Sequence, residues 1–128
     1  MKLLLDTHAL IWWAASDPQL SKAAGTAMRN ASNDVYVSVA SAWECAVKVQ
    51  NGKLPQAAPL VAAFRVTLER AGFRTLDIAA EHSLAAGALP RHHGDPWDRM
   101  LIAQALAEGM VLVSKDKVFD RYGVRRVW

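Results

Sequence analysis

Four carboxylates lie far apart in this chain, at positions where several of them together could do chemistry: Asp6, Glu44, Asp98 and Asp116. Asp6 directly follows the apolar run Leu3–Leu5, and Asp116 follows Met110-Val111-Leu112-Val113-Ser114. Glu44 sits within an apolar helical stretch, and Asp98 at the start of another helix. An open α/β sheet places its active site beyond the carboxyl ends of its strands. Acids gathered there repel one another unless a cation joins them. The pattern therefore points to a divalent-metal site, and metal-assisted phosphoryl chemistry is the commonest use of such a site.

Each of these residues also has an ordinary structural use. Asp6 can cap the helix that follows it. In Asp95-Pro96-Trp97-Asp98-Arg99, Asp95 can cap, Pro96 can take the first helical position and Asp98 can face the positive helix end. Yet two acids at one helix start also make a compact cation site, and Arg99 beside them could hold a phosphate or pair with a carboxylate. Glu44 has Lys48 four residues on, the spacing of a helical ion pair. Its neighbours Ala42, Trp43, Cys45, Ala46 and Val47 leave it little solvated face, so it needs a partner, either that lysine or a metal. Asp116 can cap a turn. Ser38 and Ser41 stand at a strand–helix junction, where serine usually caps, although either could bond a phosphate or carboxylate.

Other candidates carry less. His92 and His93 are adjacent, a spacing that rarely converges on one ion, and read as a polar loop. His8 and His82 lack partners at ligand spacing, and Cys45 has no Cys or His pattern around it. There is no glycine-rich phosphate loop, since Gly25, Gly52 and Gly87 are isolated. The tryptophans, including Trp12, Trp13 and Trp43, read as core or subunit interface rather than base-stacking platforms.

The elements that must position these acids alternate between strand and helix, which predicts a parallel sheet with helices on both faces. Leu3–Leu5 is a short buried strand. Asp6-Thr7 opens a helix through Ile11, Trp12 and Trp13 that Asp17-Pro18 ends. A helix over residues 21–31 follows, then a strand over 35–39 rich in β-formers. Ser41 is expected to open the next helix, stopped by Asn51-Gly52. One helix over 58–71 ends at Gly72, and a strand over 74–78 and a short helix over 80–88 come next. Residues 89–95 form a loop. A strong helix from Asp95-Pro96 to Gly109 leads into a strand over 111–113. A helical turn around Val118-Phe119 and an extended piece over 124–127 finish the chain.

Composition sets bounds. The 128 residues, 52% of them hydrophobic, predict one domain over 1–128 with a core that needs no staples. The net charge of +3 permits a nucleic-acid partner without demanding one. A single cysteine rules out an internal disulfide and fits a reducing cytoplasm. Met1-Lys2-Leu3-Leu4-Leu5-Asp6 is too short an apolar run for a signal peptide, and no run approaches the ~18 residues that span a membrane. The expected location is cytoplasmic, with no membrane partner.

Taken together, these segments resemble the PIN-domain ribonucleases, specifically the toxin half of VapBC-type toxin–antitoxin pairs. Leu4-Leu5-Asp6-Thr7-His8 resembles the family's opening strand and first acid. Ser41-Ala42-Trp43-Glu44, running through Lys48 to Gly52-Lys53-Leu54, is similar to its second motif. The run His93-Gly94-Asp95-Pro96-Trp97-Asp98-Arg99-Met100-Leu101-Ile102-Ala103-Gln104-Ala105 is close to its most recognisable stretch. Val113-Ser114-Lys115-Asp116 matches the last acid, with Ser where Thr is frequent. The resemblance implies an α/β fold with one PIN-like domain and strand order 3-2-1-4-5. It implies that Asp6, Glu44, Asp98 and Asp116 hold Mg²⁺ or Mn²⁺ and are catalytic. Thr7, Ser41, Asp95 and Arg99 would support them or touch RNA. It further implies a homodimer, a small antitoxin that inhibits it, and structured RNA, tRNA or rRNA, as substrate. Lys48 and Lys115 could position the RNA backbone. A weaker physical motive for a dimer is that Trp12, Trp13 and Phe64 exceed what one small core needs.

Two other classes share parts of this pattern. A receiver-like or phosphatase domain would use an Asp nucleophile and tolerate loss of Glu44, but its Asp-x-Asp signature is absent at Asp6-Thr7-His8. A non-catalytic RNA-binding module on the same fold would bind in EDTA and has little reason to keep four acids.

Overall fold

The computed structural model describes residues 1–128. Five parallel strands form one sheet in the order β3-β2-β1-β4-β5: β1 is Lys2–Leu5, β2 Asp34–Ser38, β3 Arg74–Leu76, β4 Val111–Val113 and β5 Arg126–Val127. This is the expected order, and it follows from the buried run at β1. Leu3, Leu4 and Leu5 are fully buried, so β1 must lie at the centre, between β2 and β4.

The pleat sends alternate β1 side chains to opposite faces. Leu3 and Leu5 join one core with Leu10 of α1 (Thr7–Ala14), Met28 of α2 (Lys22–Arg29) and Cys45 of α3 (Val39–Gln50). Leu60 of α4 (Ala58–Ala62) and Leu68 of α5 (Phe64–Ala71) complete that core. Leu4 joins a second core with Leu101, Ile102 and Ala105 of α7 (Pro96–Glu108) and with Phe119 from the 3₁₀ turn Lys117–Tyr122. The helix α6 (Ala80–Ala88) lies against α7, fixed by buried His82, whose Nε2 lies 2.9 Å from Glu108 Oε1.

Several boundaries differ from expectation. α3 starts at Val39, because Ser38 rather than Ser41 is the cap: its Oγ accepts from Ala40 N–H at 3.0 Å. The expected helix over 58–71 is two helices broken at Ala63 (φ −129°, ψ 33°), and nothing in Leu60–Val66 marks that break. α2 stops at Arg29, and β3 at Leu76. Trp13 and Phe64 pack onto the first core, and Trp12 packs against Trp128 with ring centroids 5.7 Å apart. The aromatic surplus read as a reason to dimerise is therefore largely absorbed by the fold. Trp43 is the exception, 63% exposed. No helix is long and apolar enough to cross a membrane.

Candidate active site

The acids gather at the carboxyl edge of the sheet, where β1 and β4 lie side by side. Asp6 N–H donates to Val113 O at 3.0 Å, so the β1–β4 ladder continues into the site. Asp6 occupies the cap position of α1, but its carboxylate makes no capping hydrogen bond. Instead Oδ2 accepts from Ser114 Oγ at 2.7 Å. The capping alternative therefore fails for Asp6. At 7% exposure its carboxyl is pushed above the ordinary value of 3.8, chiefly by burial, against the lowering effect of the Ser114 bond.

Glu44 lies one turn into α3 and is 3% exposed. Its ion-pair reading holds, and one carboxylate oxygen is left over. Lys48 Nζ donates to Oε2 at 2.5 Å, while Oε1 is buried with no partner at all. Burial opposes the Lys48 charge, but the Glu44 bond and the nearby charges of Glu44, Asp95 and Asp98 outweigh it and raise the Lys48 pKa.

At the start of α7 the two acids divide their duties. Asp95 Oδ1 accepts from Asp98 N–H at 3.0 Å and is the cap. That leaves the Asp98 carboxylate free, and its Oδ2 lies 2.6 Å from His93 Nε2. Burial, then the Asp6 charge, push the Asp98 carboxyl up to about 7, although the His93 bond pulls the other way. Asp116 is exposed and caps the following 3₁₀ turn through Oδ1, which accepts from Val118 N–H at 3.0 Å.

All four acids line one cleft of about 410 Å³, together with Asp95 and Lys115. His93, Asp98 and Asp116 each bring one ligand atom to within 4.8 Å of the others. The remaining expected residues take supporting roles. Thr7 and Ser41 are each 1% exposed and bonded to one another at 2.9 Å. They join α1 to α3, and so Asp6 to Glu44, and cannot face RNA. Arg99 turns to the backbone rather than to the acids. Its guanidinium donates to the carbonyls of Ala86, Leu89, Pro90 and His93 at 2.9–3.2 Å, which ties down the loop before α7.

Two residues that bond the acids of the cleft carry little signal in the sequence. His93 was read as part of a polar loop, yet it reaches Asp98. The signal available was its place two residues before the Asp95 cap. Ser114 is fully buried and bridges the site: its Oγ donates to Asp6 and accepts from Asp116 N–H at 3.1 Å. A hydroxyl between a strand and an acid was the only hint.

The donor set fits a divalent cation. Asp6 and Asp98 both carry a burial cost for their charge, and Glu44 Oε1 is an acceptor closed off from water with nothing to accept. A cation among carboxylate oxygens would relieve all three, and hard oxygen donors suit Mg²⁺ or Mn²⁺.

The sequence matches the PIN domain family over residues 3–125. It is 34% identical over 116 residues to Ribonuclease VapC22 of Mycobacterium tuberculosis, covering 90% of this chain and 87% of that protein. Among solved structures, VapBC2 from Rickettsia felis bound to a promoter DNA fragment superposes with a TM-score of 0.68, over 98% of this chain and 97% of that one. At 18% identity that likeness concerns the fold. With 34% identity spread over nearly the whole chain, and acids gathered at the sheet edge as the motifs require, this chain belongs to the PIN-domain family as a homologue of the VapC ribonucleases.

Proposed function

We propose that this chain is a metal-dependent endoribonuclease that cleaves structured RNA, tRNA or rRNA, and serves as the toxin of a toxin–antitoxin pair. One observation carries the reading. Asp6, Glu44, Asp98 and Asp116 come from four distant segments and line one cleft, where Glu44 Oε1 is buried without a partner. The four acids would hold Mg²⁺ or Mn²⁺. The chemistry such an ion supplies when bound is a water made acidic enough to attack phosphorus and a positive charge beside the developing oxyanion.

The chain's own residues prepare that site. Ser114 holds Asp6, Lys48 holds Glu44 and His93 holds Asp98, each fixing a carboxylate from one side. Lys115, exposed at the cleft, can meet an RNA phosphate. No thiol or hydroxyl is poised as a nucleophile. Cys45 is buried, and burial pushes its thiol up to about 12. The Ser114 hydroxyl donates to Asp6. With no thiol or hydroxyl available, hydrolysis by water is the reaction the gathered acids support.

The name of the relative, a ribonuclease, supports the activity, and the solved VapBC2 assembly supports a small antitoxin partner. Trp43, exposed and next in sequence to Glu44, offers apolar surface for that partner or for a second copy in a homodimer. The test is cleavage of tRNA and rRNA with Mg²⁺ or Mn²⁺. The expected products carry 5′-phosphate and 3′-hydroxyl ends. Full activity in EDTA, or 2′,3′-cyclic phosphate ends, would overturn the proposal.

A further inference from the structure

The residue that reaches the acids without being one of them is His93, at the head of the stretch that carries Asp95 and Asp98. Its position is built with more care than a polar loop requires. Arg99 bonds the carbonyls of Ala86, Leu89, Pro90 and His93 itself at 2.9–3.2 Å, and that of Gly87 at 3.5 Å. The Tyr122 hydroxyl accepts from His93 N–H at 2.8 Å and donates to Pro90 O at 2.9 Å. The ring of Phe119, fully buried in the second core, stands perpendicular to the imidazole with centroids 6.5 Å apart. A cation and a phenol thus fix the backbone that carries His93, and an aromatic ring packs against its imidazole, whose Nε2 meets Asp98.

We propose that His93 is a direct ligand of the divalent ion, sharing it with Asp98 and Asp116, and that this nitrogen donor makes the site prefer Mn²⁺ to Mg²⁺. The inference rests on the metal-dependent reading above and adds a fifth protein residue to it. The geometry is suitable. Metal–donor distances of about 2.1 Å place neighbouring donors about 3 Å apart and opposite ones about 4.2 Å apart. Nε2 of His93 and Oδ2 of Asp98 stand at 2.6 Å, and one atom from each of the three residues lies within 4.8 Å of the others. Opening the 2.6 Å pair by about 0.4 Å, and drawing opposite donors in by up to about 0.6 Å, closes the set. Nδ1 has no hydrogen-bond partner in the chain, so it can carry the ring proton when Nε2 turns to an ion. The second sign of a cation is Glu44 Oε1, an unpaired acceptor in a side chain 3% exposed on the same cleft. Imidazole favours transition ions, whereas an all-oxygen site suits Mg²⁺.

The full-length protein should be titrated with Mn²⁺ and with Mg²⁺ by calorimetry, for the wild type, His93→Ala and His93→Gln. Melting in EDTA checks that each variant folds, and His93→Gln keeps a polar group beside Asp98 if the alanine variant does not fold. The expected result is that Mn²⁺ affinity falls by about tenfold or more in both variants while Mg²⁺ affinity changes by less than about threefold. Pulsed electron paramagnetic resonance of bound Mn²⁺ should show one ¹⁴N coupling in the wild type and none in either variant. If Mn²⁺ binds, cleavage requires it and the nitrogen coupling is absent, His93 only orients Asp98, and the inference fails while the nuclease reading stands. Equal loss of both affinities sinks it in the same way. If neither ion binds the wild type, both readings fall together.

Discussion

Replacing Asp98 with Asn separates a helix-start acid from a member of a charged cleft. A carboxyl held at about 7 instead of 3.8 costs the ionised folded state roughly 4 kcal/mol, at about 1.36 kcal/mol per pH unit. The side chain is 19% exposed, and Asn gives up a helix-dipole interaction of about 0.3–1 kcal/mol, so the net gain should be about 2–3 kcal/mol. The cap itself is untouched, because Asp95 supplies it. The sign with pH follows from the raised pKa. Stability associated with this carboxyl is full below the unfolded value near 4 and is lost as pH rises through about 7. In EDTA, Asp98→Asn should therefore match the wild type near pH 4 and pull ahead up to pH 7. Above that it should stay about 5–10 °C higher in Tm. With Mn²⁺ at a hundredfold excess over Kd the wild type gains about 2.7 kcal/mol, and the variant should recover less than half of that and lose cleavage. Melts across pH, with EDTA and with Mn²⁺, read all of this. A variant that melts lower in EDTA at every pH, and keeps the full Mn²⁺ gain and its nuclease activity, would refute the reasoning.

Lys48→Met leaves the Glu44 charge buried and unpaired, and should lower stability in EDTA by about 3 kcal/mol by urea unfolding, with part of that recovered in Mn²⁺. An unchanged midpoint would show that Lys48 is not what holds Glu44. Arg99→Lys cannot span four carbonyls with one ammonium, so it should cost about 2–3 kcal/mol and speed amide exchange across residues 86–93. If instead stability is kept and RNA affinity falls, Arg99 is an RNA contact after all.

Much of the site was readable because strands announce themselves. Leu3–Leu5 and Val111–Val113 are continuous apolar runs, and the acid after each had to emerge at the same sheet edge once all strands were parallel. Glu44 was readable from its apolar neighbours, which left it no solvent to face. Asp95-Pro96-Trp97-Asp98 held both of its possibilities openly, and only the hydrogen bond from Asp98 N–H to Asp95 assigned the cap to one acid and the cleft to the other. His93, Arg99 and Ser114 were beyond reach for one shared reason. Their roles depend on loop paths set by distant partners: Tyr122 for His93, the carbonyls of 86–93 for Arg99, and Asp6, 108 residues away, for Ser114. Periodicity carries no information about such paths.

The partners of the four acids share a physical logic. A carboxylate left loose in a cleft of like charges would swing out to water, and one bonded through both oxygens would have nothing left to offer. Here each acid is held on one side by a different kind of partner: a hydroxyl for Asp6, an ammonium for Glu44, an imidazole for Asp98, a backbone amide for Asp116. In Glu44, Asp98 and Asp116 the second oxygen has no hydrogen bond within the chain. Only the ammonium is a permanent counter-charge, so the metal-free cleft keeps most of its repulsion. That retained repulsion is what makes a bound cation stabilising, and it ties the protein's melting temperature to the ion. Any variant that neutralises an acid should move apo stability and metal affinity in opposite directions. Among the four, Asp116 should show the weakest effect, because it alone is exposed and its charge was never desolvated.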